Sequence, residues 1–150
     1  MSANRIATVV ELGEMNLVGL RVRCPGDQYA NEIPKAAADL RQRLNEVDDK
    51  IDPDRLVGAF IVGDYSDEED GYWICVEVGE FGELPPGMEM LTVPAQKYAV
   101  IGHSGPSIEI PRTYERLHAW IAENGYTRIH RSWHLEMSRG NELVLYDTIV

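Results

Sequence analysis

A chain of 150 residues, 26% charged and 44% hydrophobic, has the length and composition of one globular domain, which argues against a disordered chain. Twenty-five acids against 14 bases give a formal net charge of −11, a balance that opposes binding to a phosphate backbone and draws cations instead. Cys24 and Cys75 are too few and too isolated for a disulfide framework or a metal site, and no signal peptide or apolar run of spanning length is visible. The expectation is a soluble, cytoplasmic protein with no cofactor, no membrane partner and no direct contact with DNA.

In chain order, Ile6 to Leu12 and Leu17 to Cys24 read as two strands separated by the turn Gly13-Glu14-Met15-Asn16. A helix is predicted from Asn31 to Asp48, with Pro34 in its first turn. Its apolar face would be Ile33, Ala37, Leu40, Leu44, Val47 and Ile51, at alternating spacings of four and three. Two more strands, Leu56 to Val62 and Tyr72 to Val78, flank the acidic loop Asp67-Glu68-Glu69-Asp70. That loop lacks the alternating oxygen ligands of a calcium site and reads as a solvated turn.

After the linker-like Gly79 to Gly87 the pattern starts again. Strands are predicted at Met88 to Val93 and Tyr98 to His103, then a helix from Pro111 to Asn124 closed by Gly125. Two last strands follow, one around Glu136 and one from Glu142 to Ile149. Each half therefore reads strand, strand, helix, strand, strand, with repeat one at about residues 1–79 and repeat two at about 88–150. Glu32-Ile33-Pro34-Lys35 recurs as Glu109-Ile110-Pro111-Arg112, an offset of 77 residues (109 − 32), and Leu40 recurs as Leu117. The expected fold is α+β: two tandem repeats joining their strands about a pseudo-two-fold axis into an antiparallel sheet, with helices on one face and a ligand cleft on the other.

In Ser132 to Ser138, alternation places Trp133, Leu135 and Met137 on one face and Ser132, His134, Glu136 and Ser138 on the other. With the apolar trio taken as core under the helices, Glu136 projects from the opposite face near the middle of the sheet. It is either an ordinary solvated residue or a carboxylate that needs a cation, a donor or water.

The order of elements resembles the GyrI-like small-molecule-binding fold, also seen as the effector-binding domain of AraC- and MerR-type transcription regulators. The residues that carry the likeness are Val93 to Val100, His103-Ser104-Gly105-Pro106, Thr113-Tyr114, Trp120-Ile121, Gly125-Tyr126 and Glu136. The resemblance implies that Glu136 is a pocket glutamate facing aromatic or cationic ligands. The Tyr that the family often carries two residues later is here Ser138. Candidate aromatic walls are Trp73, Phe60, Tyr65 and Tyr146, each equally suited to plain core packing, while His134 could hydrogen-bond a ligand or serve structurally.

Residues 1–30 read as strands, so no helix-turn-helix is expected ahead of the domain. The expected function is a stand-alone small-molecule-binding protein. The alternative that the resemblance implies is a hydrolase of cyclopropane-bearing alkylating compounds, with Glu136 as the catalytic base that activates water. A protein-interaction role of the gyrase-inhibitor kind is a third class, with no partner singled out.

Overall fold

The computed structural model describes residues 7–62 and 70–150. Among them the chain forms β1 (Thr8–Leu12), β2 (Met15–Val22), α1 (Tyr29–Gln42), β3 (Arg55–Ile61), β4 (Tyr72–Val78), β5 (Glu89–Val93), β6 (Gln96–His103), α2 (Ile110–Glu123), β7 (Trp133–Arg139) and β8 (Glu142–Thr148). The strands make one antiparallel sheet in the order β1-β6-β8-β7-β3-β4-β2-β5. Exchanging each strand for its counterpart in the other half and reading the order backwards returns the same order. The pseudo-two-fold axis therefore passes between β3 and β7. Each half also lends its first strand to the other: β1 pairs with β6, and β5 with β2.

Both helices cover one face of this sheet. From α1, Ala37 and Leu40 pack on Val18, Leu56, Ile74 and Val76. From α2, Leu117 and Ile121 pack on Ala99, Ile101 and Leu145. The opposite face has its own core with no helical residue in it. There Trp133, Leu135 and Met137 meet Trp73 of β4, Val93 of β5 and Tyr98 of β6, so the sheet curls around side chains from both of its ends. The apolar trio of β7 thus lies away from the helices, not beneath them.

The first helix is shorter than its apolar spacing predicts. It ends at Gln42, a tight turn follows at Leu44–Glu46, and Val47 is buried while Ile51 is 57% exposed. Asp49 takes a left-handed conformation (φ 57°) that turns the chain, and the Ile51 N–H donates to the Glu77 carbonyl along β4. The second helix matches its predicted span closely, with Gly125 at φ +80° just past its end.

The sequence match between the halves is one helical turn out of structural register. Tyr29–Gln42 corresponds to Ile110–Glu123, an offset of 81 rather than 77, which makes Ile121 and not Leu117 the counterpart of Leu40. A slip of four residues keeps the same helical face, so apolar spacing cannot detect it. Leu117 is fully buried against β6 and β8, and we expect Leu117→Ala to lower stability by about 2–5 kcal/mol in urea titrations.

Candidate functional site

The strand register decides where Glu136 points. Gly58 of β3 pairs with Ile74 on one side and with Glu136 on the other, and residues directly opposite in a ladder share a face. Ile74 lies under α1, so Glu136 lies on the helix-covered face as well. The expectation that Glu136 projects from the face opposite the helices is corrected accordingly. Both faces of β7 are covered, and alternation separates the two sets without saying which layer each set meets.

On that face the Tyr72 hydroxyl of β4 donates to Glu136 Oε1 at 2.7 Å, and the Tyr114 hydroxyl of α2 donates to Oε2 at 2.5 Å. The carboxylate is half-buried, and no Lys, Arg or His among the described residues comes within ion-pairing distance of it. Its charge is held by neutral donors from the two halves of the chain. Burial first, and the neighbouring Glu136 charge second, push both phenols far above the ordinary tyrosine range, so both remain donors at any working pH.

Local chemistry places each donor. His103, at the end of β6, is buried and accepts a hydrogen bond at Nδ1 from the Thr113 hydroxyl (2.7 Å), while Nε2 donates to the Pro106 carbonyl (3.2 Å). These bonds tie the first turns of α2 to the sheet and aim the next residue, Tyr114, at β7. Tyr72 has room because Gly58 carries no side chain. A Cβ there would fall 1.8 Å from the Tyr72 hydroxyl and 2.4 Å from Cζ.

Of the wall residues expected from sequence, Phe60 and His134 share the helix-covered face with Glu136. Phe60 stacks on Tyr72 (centroids 5.8 Å apart, 17° between planes) and lies 5.7 Å from the His134 ring. Trp73 and Tyr146 are on the other face. Trp73 is buried edge-on against Trp133 with Arg21 over its ring, and Tyr146 packs edge-on against Tyr98. Tyr65 and residues 67–69 of the acidic loop lie outside the described residues. Among those described, no group of three or more His, Cys, Asp or Glu side chains could hold a metal. Sequence reasoning missed Tyr72, Tyr114, His118, Arg128 and Asp147. Tyr72 carried a usable signal, since it alternates in phase with Ile74, Val76 and Val78.

Beside Tyr114 a hollow of about 190 Å³ is lined by Phe60, Val62, Tyr114, His118, Arg128, His134 and Asp147. Asp147 is 1% exposed and sits among three basic groups. Arg128 Nε donates to Oδ2 at 2.8 Å, His118 Nε2 lies 2.9 Å from the same oxygen, and His134 Nδ1 lies 2.9 Å from Oδ1. The angles at the two histidines leave those contacts electrostatic rather than formed hydrogen bonds. Burial alone would raise the Asp147 carboxyl, but His134, Arg128 and His118 together outweigh it and hold the group below its ordinary value.

Two outcomes follow from this geometry. Gly58→Ala should push the Tyr72 ring off Glu136, because stacking on Phe60 leaves that ring little freedom to swing. Urea titration should register a loss of about 1–3 kcal/mol, smaller in a Tyr72→Phe background where the hydrogen bond is already gone. A depressed folded-state pKa contributes stability above the unfolded carboxylate pKa, lost as pH falls through the folded value. Wild type should therefore lose stability as pH drops below about 4, and Asp147→Asn should be less stable at neutral pH with a flatter acid limb in thermal melts.

Comparison with known proteins agrees with this architecture. A family model described as the GyrI-like small molecule binding domain matches residues 7–136. The transcriptional regulator BrlR of Pseudomonas aeruginosa is 30% identical over 147 residues, covering 96% of this chain and 49% of that protein. This chain thus spans about half the length of the curated relative it matches. The EcmrR C-terminal domain superposes with a TM-score of 0.68 at 16% identity, covering 97% of both chains. SAV2435, solved bound to tetraphenylphosphonium, gives a TM-score of 0.67 at 13% identity, covering 97% of this chain and 94% of that one. At such identities the two structures establish likeness of fold, and the match of the family model over most of the chain makes this protein a member of the GyrI-like small-molecule-binding domain family.

Proposed function

We propose that the domain binds a lipophilic, aromatic cation at Glu136, in drug or toxin sequestration or in sensing. The observation that carries this reading is the carboxylate itself: half-buried, held by two phenol hydroxyls and given no counter-cation by the described residues. A charge in that position costs free energy that a bound cation offsets. Tyr72 and Tyr114 reach it with their hydroxyls and Phe60 stacks on Tyr72, so rings stand beside the carboxylate, and each ring face open to a cation adds about 0.5–2 kcal/mol once water is displaced. The net charge of −11 works in the same direction at longer range. The tetraphenylphosphonium bound by SAV2435 is a ligand of this chemical class.

Tetraphenylphosphonium and tetraphenylborate share one shape and differ in the sign of their charge, so a titration with both isolates the electrostatic part. The phosphonium should bind and the borate should not. Glu136→Gln should weaken phosphonium binding by about 1–3 kcal/mol, the range for losing one charge-assisted contact, which corresponds to about 5- to 150-fold in Kd. Equal affinity for the two ions, or an unchanged Kd in the variant, would overturn the carboxylate's part in binding.

A further inference from the structure

Three polar atoms that line the hollow beside Tyr114 lack a hydrogen bond; His118 Nε2 and Asp147 Oδ1 each keep an ionic contact, and His134 Nε2 has neither. His134 is 2% exposed, lines the hollow, and has no hydrogen-bond partner for Nε2 among the described residues. Its other nitrogen fixes what Nε2 carries. The Thr148 backbone N–H donates to Nδ1 at 3.1 Å, so in the neutral ring the proton sits on Nε2, and the imidazolium bears a proton there as well. In either state Nε2 is a buried N–H donor without an acceptor, which costs about 1–3 kcal/mol until one arrives.

The surroundings define the acceptor. Phe60, Val62 and the Tyr114 ring make much of the lining apolar, and the Asp147 carboxylate pairs with Arg128, so the guanidinium charge offers an anion no net attraction. A neutral oxygen, of the carbonyl kind, fits both conditions. An apolar cavity of about 150 Å³ holds a benzene, so about 190 Å³ accommodates a ring-sized group with a small substituent. His134 and Glu136 are two residues apart on one face of β7, which separates them by roughly 6.6 Å. That is about the reach from a benzylic cation across its ring to a para substituent.

We propose that this hollow takes the far end of the ligand held at Glu136, with His134 Nε2–H donating to a neutral oxygen one ring's length from the positive centre. The natural ligand class is then an aromatic cation bearing a carbonyl-type acceptor, not a purely hydrocarbon cation. The inference rests on the reading that Glu136 holds the cation, and the test separates the two.

The probes are (4-acetylbenzyl)trimethylammonium and (4-isopropenylbenzyl)trimethylammonium, alike in charge and shape and differing by C=O against C=CH2. Wild type should bind the acetyl compound about tenfold more tightly, as one hydrogen bond to a buried donor predicts. Glu136→Gln should weaken both probes and keep the ratio, whereas His134→Phe should bring the ratio to about one. In wild-type protein labelled with ¹⁵N-histidine, the His134 Nε2 resonance should move with the acetyl probe and not with the other, a readout that stands even if His134→Phe does not fold. Equal wild-type affinities, with both probes weakened by Glu136→Gln, would overturn the His134 role and leave the Glu136 reading intact. Binding of neither probe, or binding indifferent to Glu136→Gln, would remove both. A preference that survives in His134→Phe would place the donor on another residue and overturn the His134 role.

Discussion

A carboxylate at the seam of a sheet, covered by helices and given no cation by the described residues, has to be held by something. Here the holding is done by two phenol protons, from Tyr72 on β4 and Tyr114 on α2. The first belongs to one half of the chain and the second to the other, so a single side chain joins the two repeats at the point where they meet. Charge-assisted bonds of this kind are roughly twice as strong as neutral ones, which is why so few of them can fix a residue that desolvation would otherwise expel. Much of the local structure follows from that demand: the His103–Thr113 tether that aims Tyr114, and the bare Cα of Gly58 beneath Tyr72.

The demand is met by breaking the symmetry where it is most exact. β3 and β7 correspond at an offset of 78 residues, Arg55 with Trp133 and Ile61 with Arg139, so the counterpart of Glu136 is Gly58. The same two residues are ladder partners, which puts the pair on the pseudo-two-fold axis. A faithful duplication would set two carboxylates directly opposite each other, and like charges across a ladder are destabilising. Glycine removes the second charge, and the volume it leaves receives the Tyr72 ring.

Much of this fold was legible because local patterns carried it. Strand and helix positions followed from alternation and from three-four spacing, and β4 was predicted at its observed bounds. Which side of the sheet Glu136 occupies was not legible, for a definite reason. A strand covered on both faces gives two interleaved sets of residues, and Trp133, Leu135 and Met137 look like a core beneath helices whether or not any helix is there. Only the pairing of Gly58 with Ile74 and with Glu136 links the phase of β7 to the face under α1. The choice of Trp73 over Tyr72 as a wall residue has the same origin, since one step along a strand changes the face. The one-turn slip in the repeat is the helical form of that degeneracy.

The basic group around Asp147 was hidden by distance rather than by phase. Its members come from α2 (His118), from the segment between α2 and β7 (Arg128), from β7 (His134) and from β8 (Asp147 itself), and no local spacing joins them. Their arrangement complements that of Glu136. At one end of the site a carboxylate accepts from two neutral donors; at the other, a carboxylate is paired with Arg128 and flanked by two imidazoles. An acidic protein can thereby offer a negative point and a neutral, donor-bearing hollow within one ring's length on the same strand. On the proposed reading, two unlike ends would fix the direction in which an elongated cation lies, an orientation that a single carboxylate among aromatic walls leaves undetermined.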